Sequence, residues 1–476
     1  MAQRQLPANP FVFPVGMVTL MVALAFGGCA RDAEPPRWNL ILISFDTLRA
    51  DHLSTYGYGR PTSPNIDRLA MDGLLFEQAF SQSPKTATSH MTIMTGMYPP
   101  AHGVKNLDQP RVKSLPEGIP TLAELLQQAG YHNEAYTGSG NVNPDLGFGR
   151  GFSVYERLKD AEEIFAQSTR ALQRLAQRSE PEVIAPFFLF VHTFAVHDPY
   201  TPGDEYARRF VDPDYRGEII HSADELIRLA RDGGYWPRAD VFWSQVDQES
   251  EADHQHLRDL YDAEILYADD LLGRFLATLD DLELDESTVV VFLSDHGEQF
   301  FEHGGYVHNN LYQHTLHVPL IFRFPEVLGF VPGTRVEGLV QLVDVLPTVL
   351  ELLELPSLEH LQGRSLLPVL HGAEPIPRPV FSQWIRVGKF WALRDGDWKY
   401  LREMRSHRLY DLSRDPEEQS DLAASEPEIY WRMRQQTDEF VRQSWDVSYA
   451  LQHGPPVEVD EETRQQLEAM GYLDPP

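Results

Sequence analysis

The sequence reads N-L-I-L-I-S-F-D from Asn39 to Asp46, a nearly continuous apolar run that ends in a carboxylate. Such a run is typical of a strand that is buried on both faces, as in a parallel sheet covered by helices. Two similar runs follow, at Pro186 to His192 and at Thr288 to Leu293, and the segment Leu257 to Leu279 between them has helical spacing. We therefore predict an α/β fold in which a central mixed, mostly parallel sheet lies between helices.

The pattern changes near Pro379, where short segments with alternating apolar residues begin. Asp395-Gly396 separates two such segments, which is a strong signal for a β-hairpin. We predict a large domain at residues 38–375 and a small antiparallel C-terminal subdomain at residues 376–476.

The N-terminus has the pattern of a bacterial lipoprotein signal. Arg4 is followed by the uncharged apolar segment Phe11 to Gly28, and the only cysteine, Cys29, closes the sequence F-G-G-C. We predict a signal peptide at residues 1–29, lipidation of Cys29 and a polar tether at residues 30–37; an uncleaved membrane anchor is the alternative. Either form would be exported and held at a membrane, in the periplasm or at the cell surface.

The charge of the chain limits its partners. Lys and Arg number 40 against 71 Asp and Glu, so the formal net charge is −31. A field of this sign argues against nucleic acid as a partner, because phosphate backbones bind basic surfaces.

A second informative stretch runs from Ala79 to Val104, A-F-S-Q-S-P-K-T-A-T-S-H-M-T-I-M-T-G-M-Y-P-P-A-H-G-V. Its hydroxyls, Lys85 and His90 precede an apolar-spaced segment that ends at Gly96. We predict a loop that delivers Thr86 to a helix N-terminus, where unpaired N–H groups favour an anion. Two alternatives stay open: Thr86 is a helix-capping hydroxyl, or the nucleophile is Ser83 or Ser89.

This stretch resembles the nucleophile segment of the sulfatase family, in the alkaline phosphatase superfamily. D-T-L-R-A-D-H-L-S-T-Y-G-Y at Asp46 to Tyr58 resembles the opening block of that family, and the resemblance extends from Asn39 to Leu473. It places Thr86 where the family has a Cys that becomes formylglycine, and His90 where the family has an Arg. The resemblance also implies the alkaline phosphatase-like fold with its small antiparallel C-terminal subdomain.

The threonine changes the chemistry that the resemblance implies. Family sulfatases use a formylglycine aldehyde, which threonine cannot form, because its Cβ carries a methyl group. Superfamily relatives with a Thr nucleophile cleave phosphate or phosphonate esters. We therefore expect a metal-dependent hydrolase of a phosphoester or phosphonate ester. The alternatives are a sulfatase without formylglycine, a phosphoryl head-group transferase and a non-catalytic binder of anionic glycans.

Residues at the ends of predicted strands indicate a metal site. Asp46 ends the first strand, and Asp295 and His296 follow the third; these positions meet at the carboxyl edge of a parallel sheet. With Thr86 they form an oxygen and imidazole donor set, which favours zinc or manganese and also permits calcium. A helix N-cap is the alternative interpretation of Asp295-His296-Gly297.

The resemblance further implies a set of residues around the anion. His197 lies in H-D-P-Y and His308 in E-H-G-G-Y-V-H, where family members contact the transferring group or assist the leaving group. The catalytic candidates are Thr86, His197, His308, His90 and Lys85, and the substrate-binding candidates are Asn141, His102 and Arg49. For each histidine, a purely structural role is the alternative. The expected partner is an anionic sulfate or phosphate ester, on a glycan or a lipid head group.

Overall fold

The computed structural model describes residues 38–108, 112–138, 140–177, 185–232, 238–385 and 389–451, together with Asp460, Thr463 and Gln465. The predictions for the signal peptide at residues 1–29, for lipidation of Cys29 and for the tether at residues 30–37 lie outside these residues.

The strands and helices are numbered here in chain order. The strands are β1 Asn39–Phe45, β2 Leu74–Phe80, β3 His132–Thr137, β4 Val154–Arg157, β5 Phe187–Thr193, β6 Thr288–Ser294, β7 His317–Val318, β8 Leu320–Arg323, β9 Thr334–Gln341, β10 Val380–Ile385, β11 Lys389–Asp395, β12 Trp398–Glu403 and β13 Ser406–Asp411. The helices are α1 Pro64–Asp72, α2 Thr86–Thr95, α3 Pro99–His102, α4 Leu122–Gln128, α5 Ala161–Ala176, α6 Gly203–Phe210, α7 Ala223–Asp232, α8 Arg238–Trp243, α9 Glu251–Asp281, α10 Gln313–Leu316, α11 Val345–Leu352, α12 Leu367–Leu370 and α13 Pro427–Ala450. Short 3-10 turns cover Ala50–His52, Ser54–Tyr56, Pro144–Leu146, Asp285–Ser287, Glu326–Leu328 and Leu342–Asp344.

The large sheet is mixed and mostly parallel, as predicted. Within the described residues its strand order is β4-β3-β5-β1-β6-β8-β2-β7, and β9 pairs with β2. The central strand β1 is parallel to both β5 and β6. The antiparallel pairs, β6 with β8 and β2 with β7 and β8, lie on one side of this centre.

Side chains of β1 alternate between two buried cores. Leu40 and Leu42 belong to a core that includes residues of α2, α4 and α11, whereas Ile41 and Ile43 belong to a core that includes residues of α1, α5 and α9. Helices therefore cover both faces of the sheet, which explains why the strand sequence is apolar without alternation.

The sheet register brings the predicted ligand positions together. Phe45 is paired with Ser294 across the parallel strands β1 and β6. Asp46 and Asp295 each follow directly after these residues and emerge at the same carboxyl edge. Within β5, His192 is paired with Ser44 and lies at that edge as well.

The C-terminal strands β10 to β13 form an antiparallel four-stranded sheet in chain order. The predicted hairpin is present, since Asp395 is paired with Trp398 and Gly396 has a positive φ of 60°. Strand β10 attaches this sheet to the loop before α2, because Gln383 donates its backbone N–H to the Gln82 carbonyl at 2.8 Å.

Tertiary contacts set the limits of two helices. The segment from Leu339 to Leu353 is apolar enough to be one helix, but Leu339 to Gln341 belong to β9 and the helix is limited to Val345–Leu352. The start of α1 is held by another helix: Asp269 of α9 accepts the N–H groups of Asn65 and Ile66. Ser63 occupies the N-cap position without a side-chain capping bond.

The described residues of the polar segment 202–250 contain the helices α6, α7 and α8. Among the described residues of the whole chain, no helix is both long and apolar enough to span a membrane.

Glu264 of α9 provides a test of the fold that does not involve the candidate site. Its carboxylate accepts the N–H of Thr201 at 2.6 Å, and burial raises its pKa from 4.5 to about 8. The folded protein therefore retains a proton that the unfolded chain releases, so this group makes the free energy of unfolding fall as pH rises from about 5 to 8.

We expect Glu264→Gln to raise the free energy of unfolding, relative to the parent, more at pH 8 than at pH 5. The difference should be on the order of a few kcal/mol. The amide can still accept the Thr201 N–H and carries no charge to desolvate. Urea unfolding at several pH values measures the effect, with Glu374→Gln at an exposed position as the control. A parent and a Glu264→Gln variant whose stabilities differ by the same amount at pH 5 and pH 8 would refute it.

Candidate active site

Thr86 occupies the first turn of α2, as the sequence predicts. Lys85 is the N-cap residue and makes no side-chain capping bond, and Gly96 ends the helix with a φ of 63°. The Thr86 hydroxyl is fully buried and lies 3.4 Å from Nε2 of His296. The Thr86 hydroxyl therefore lies beside a candidate metal ligand, and it does not have the contacts of a helix-capping hydroxyl.

Ser89, one of the alternative nucleophiles, has a different setting. Its hydroxyl donates to the Asp295 carbonyl at 2.7 Å and lies 3.0 Å from Oγ of Ser81. These bonds give Ser89 the contacts of a residue that ties α2 to the end of β6.

The predicted ligands Asp46, Asp295 and His296 converge. One donor atom from each lies within 4.8 Å of the others, and all three residues are buried. Nε2 of His296 is 3.6 Å from Oδ1 of Asp46 and 3.3 Å from Oδ2 of Asp295. The second ring nitrogen, Nδ1, faces the Gly297 carbonyl at 3.1 Å. Nδ1 therefore carries the hydrogen, and Nε2 directs its lone pair toward the carboxylates.

The residues present fit a divalent cation. Within the described part of the chain, Oδ1 of Asp46 and Oδ2 of Asp295 are buried and have no hydrogen-bond partner. Two such oxygens beside an imidazole lone pair are costly without a positive charge. An oxygen and nitrogen donor set of this kind suits zinc or manganese and also accommodates calcium.

Thr47 follows Asp46 in a strained backbone conformation. Its φ of 62° lies in the left-handed region, which costs a β-branched residue roughly 1–2 kcal/mol. Tyr261 holds this conformation by donating its hydroxyl to the Thr47 carbonyl at 2.7 Å. The turn directs the Thr47 N–H toward Oδ1 of Asp295 at 3.4 Å, so the strain serves to orient a ligand.

His192 was not selected from the sequence. It is fully buried at the end of β5, and its Nε2 lies 3.5 Å from Oδ2 of Asp46. Although burial favours a higher pKa for Asp46, this histidine, His197 and His296 hold the pKa of Asp46 well below its usual value. The sequence does contain a feature that could have identified His192: it lies at the end of an apolar strand run, as Asp46 does.

His90 lies beside the ligands. Nδ1 donates to the Thr86 carbonyl at 2.9 Å and is 3.3 Å from Oδ2 of Asp295, while Nε2 is 2.9 Å from the Ser44 hydroxyl. Burial lowers its pKa, but the Asp295 carboxylate outweighs this and raises it. These are the contacts of a group that supports Asp295; the catalytic role of His90 stays a prediction.

His197 and His308 face each other, with ring centroids 5.2 Å apart, and His308 also lies 4.5 Å from the His296 ring. Although burial opposes the charge, the Asp198 carboxylate raises the pKa of His197 to about 10. Burial lowers the pKa of His308, and its neighbours Lys85, His296 and His197 lower it further. His197 is therefore a cation at neutral pH, whereas His308 is neutral.

Lys85 lies near this pair, and its Nζ donates to Oδ1 of Asn309 at 2.9 Å. Asn106, which the sequence analysis missed, accepts the N–H of Ala87 at 2.8 Å. Its Nδ2 is buried and unpartnered among the described residues, so the structure places an amide donor next to the first turn of α2. No spacing rule singles out this asparagine in the sequence.

The three substrate-binding candidates contact the scaffold around the site. Oδ1 of Asn141 accepts the Leu107 N–H at 3.0 Å. His102 uses Nε2 with the Thr92 hydroxyl and Nδ1 with the Val104 N–H, and burial lowers its pKa to about 3. The Arg49 guanidinium is ion-paired with Asp51 and Glu302. His102 and Arg49 are thus engaged within the protein, and these contacts give no support to a role in substrate binding.

Two family models match the chain. The model described as Sulfatase matches residues 38–355, which is more than half of the 476 residues. The model described as N-sulphoglucosamine sulphohydrolase, C-terminal, matches residues 301–443.

Curated relatives cover most of the chain. Arylsulfatase K of Rattus norvegicus is 32% identical over 480 residues, which covers 88% of this chain and 82% of that protein. Iduronate 2-sulfatase of Homo sapiens is 27% identical and covers 84% of this chain and 80% of its own length.

Solved structures share the fold. BT4656 in complex with its substrate D-glucosamine-2-N,6-O-disulfate has a TM-score of 0.70 at 19% identity, covering 86% of this chain and 98% of that one. The phosphonate monoester hydrolase of Agrobacterium radiobacter has a TM-score of 0.68 at 22% identity, covering 86% of this chain and 96% of that one. The family match, the fold and the buried Asp46, Asp295 and His296 cluster agree, and the chain is a member of the sulfatase family and a hydrolase of that family.

Proposed function

We propose that the protein cleaves a phosphoester or phosphonate ester through Thr86. The observation that supports this most strongly is the position of the Thr86 hydroxyl, 3.4 Å from Nε2 of His296, a nitrogen that itself lies 3.6 Å from Asp46 and 3.3 Å from Asp295. A threonine in this position offers an oxygen nucleophile but cannot supply the aldehyde that formylglycine provides.

The metal site is part of this proposal. Asp46, Asp295, His296 and the Thr86 hydroxyl would hold a divalent ion, zinc or manganese in preference to calcium, which would lower the proton affinity of the hydroxyl and offset the charge of the ester. Nε2 of His192 lies 3.5 Å from Asp46 and Nδ1 of His90 lies 3.3 Å from Asp295, while the Thr47 N–H donates to Asp295, so these groups line the ligands on the protein side.

The reaction requires transfer of the Thr86 hydroxyl proton to a base, a new bond from Oγ1 of Thr86 to the phosphorus, and loss of the bond from phosphorus to the leaving-group oxygen. Lys85 and the His197 cation would offset the charge of the transferring group. The leaving oxygen gains a proton, for which the His197 cation is the candidate, and the neutral His308 is the candidate base for the Thr86 proton. Water then cleaves the phospho-threonine and releases the acid.

Sulfuric ester hydrolysis is the second candidate. It is favoured by the relatives, since Arylsulfatase K and iduronate 2-sulfatase are named for sulfate esters. A sulfo-threonine would have to be released by attack of water on sulfur, without the aldehyde collapse that formylglycine permits.

A substrate panel separates these two candidates. Purified protein would be assayed with 4-nitrophenyl sulfate, 4-nitrophenyl phosphate, bis(4-nitrophenyl) phosphate and 4-nitrophenyl phenylphosphonate. We expect the highest kcat/KM with a phosphorus ester. A preference for the sulfate by tenfold or more would overturn the proposal in favour of the second candidate.

We also propose that the protein is an exported lipoprotein anchored through Cys29, on the basis of the F-G-G-C sequence after an apolar segment. We expect Cys29→Ala to release a soluble exported form or to leave an unprocessed precursor. Detergent partitioning and the mass of the N-terminal peptide measure this, with Met21→Leu as the control. A processed Cys29→Ala protein that stays as membrane-bound as the parent would refute the anchor.

A further inference from the structure

The segment at residues 202–250 contacts both loops that carry the facing histidines. These contacts come from α8, the helix Arg238–Trp243. Its last residue, Trp243, is half-buried and touches the loop of His197 with its indole nitrogen and the loop of His308 with its ring.

The contact to the first loop is a hydrogen bond to a buried carboxylate. Nε1 of Trp243 donates to Oδ2 of Asp198 at 2.7 Å. Nδ1 of His197 lies 2.9 Å from the backbone carbonyl oxygen of Asp198 and 2.9 Å from the other carboxylate oxygen, Oδ1, and the Asp198 and His197 side chains are only 4% and 3% exposed. The indole N–H binds Oδ2, and the imidazole lies against Oδ1 and the main chain of Asp198, so a turn of the carboxylate would break the bond to Trp243. Nδ1 of His197 carries the hydrogen, which leaves Nε2 for the site.

The contact to the second loop is a ring stack. The Trp243 ring lies on Tyr306 with centroids 4.4 Å apart and an interplanar angle of 26°. Tyr306 precedes His308 by two residues, and Val307 between them has a positive φ of 57°. A β-branched residue in this conformation is held by its neighbours, and the stack on Tyr306 is one of the contacts that hold it.

We propose that Trp243 is a positioning residue that fixes the mutual placement of His197 and His308, whose rings are 5.2 Å apart, by holding Asp198 through its N–H and Tyr306 through its ring. The inference rests on the proposed function in so far as these histidines act on the ester. It gives the segment at residues 202–250 a role in positioning the two histidines of the site.

Anchoring of the segment to the core does not by itself explain the contacts of Trp243 with Asp198 and Tyr306. The adjacent Phe242 is fully buried and packs on Tyr200 with ring centroids 5.7 Å apart, so an apolar anchor already exists. Trp243 also packs at the edge of this core, but apolar packing does not require its N–H to bind a buried carboxylate, and that bond restricts the rotamer of Asp198.

Two variants of the proposed contacts separate the hydrogen bond from the stack. Trp243→Phe keeps a ring on Tyr306 and removes the donor to Asp198. Tyr306→Leu removes the stack and keeps the donor. Phe242→Leu is the control for loss of packing in the segment, and Trp431→Phe, at a position 53% exposed on α13, is the control for the chemical change.

Nuclear magnetic resonance of protein labelled with ¹⁵N-histidine gives a readout that does not require turnover. We expect Trp243→Phe to shift or broaden the Nδ1–H signal of His197, and Tyr306→Leu to move the signals of His308. Both controls should leave these signals in place. Unchanged histidine signals in Trp243→Phe and Tyr306→Leu, or equal changes in Phe242→Leu, would overturn the proposal.

Turnover of 4-nitrophenyl phenylphosphonate gives the second readout. We expect Trp243→Phe to lower kcat by about tenfold with a smaller change in KM, since the histidines are misplaced in the transition state. Combined with Asp198→Asn, the loss should be less than the product of the single losses, because both changes break one chain of contacts. Independent, multiplying losses would overturn the proposal.

The two readouts distinguish failure of this inference from failure of the proposed function. A parent protein that hydrolyses none of the four test esters would refute the proposed function, while the histidine signals would still decide the role of Trp243. A parent that is active, with signals and kcat unaffected by Trp243→Phe, would refute this inference alone.

Discussion

Thr86→Ala is expected to reduce kcat on the order of 10³- to 10⁶-fold, the scale of losses when a covalent nucleophile is removed. The hydroxyl lies at the start of α2, 3.4 Å from His296, and the same change removes an oxygen from the metal site. Thr86→Ser should retain a measurable part of the activity, because it keeps the hydroxyl and loses only a methyl group.

Ser83→Ala is the control for the loop, since Ser83 lies three residues before Thr86. With an activated aryl ester, dephosphorylation becomes the slow step, and mass spectrometry should find the adduct on Thr86 and on neither Ser83 nor Ser89. Near-parental turnover of Thr86→Ala would remove Thr86 from the mechanism. Formylglycine at position 86 would not explain such activity, because neither threonine nor alanine can be converted to it.

Asp295→Asn is expected to abolish metal binding and, with it, nearly all turnover. Oδ2 of Asp295 is buried without a partner among the described residues, and the substitution removes its charge with little change in shape. Elemental analysis of the purified proteins measures the metal, with Asp281→Asn at an exposed position as the control. Equal metal content in the parent and Asp295→Asn would exclude Asp295 as a ligand.

Thermal unfolding supplies a second readout for Asp295→Asn. In metal-free protein, the variant should unfold at a higher temperature than the parent, because one of two neighbouring buried carboxylates has become neutral. Added zinc or manganese should raise the Tm of the parent and of Asp281→Asn, and leave that of Asp295→Asn unchanged. A metal-dependent Tm in Asp295→Asn would contradict the assignment.

The catalytic edge of the sheet was largely predictable from the sequence. Apolar runs of strand length identify strands that are buried on both faces, and parallel neighbours end at one edge. This local reasoning placed Asp46, Asp295 and His296 together, and the structure confirms their convergence. The helix that begins at Thr86 was found in the same way, from a polar loop followed by apolar spacing and a glycine.

Several features could not be predicted because they depend on contacts between distant residues. Neither His192 nor Asn106 belongs to a sequence motif. Their roles follow from contacts with other segments: His192 lies against Asp46, and Asn106 accepts the N–H of Ala87. The segment Leu339 to Gln341 is apolar enough for a helix, and only pairing with β2 makes it a strand.

The sequence by itself determined the fold class, the family and the donor atoms available for a metal, because strand runs, helix spacing and residue chemistry are local properties. The tertiary structure alone decided the surroundings of each donor. It paired Arg49 with Asp51 and Glu302, engaged both ring nitrogens of His102, gave His197 a positive charge through Asp198 and brought Trp243 against that carboxylate. Charge, tautomer and orientation follow from which groups exclude water and donate hydrogen bonds, and those groups come from segments far apart in the chain.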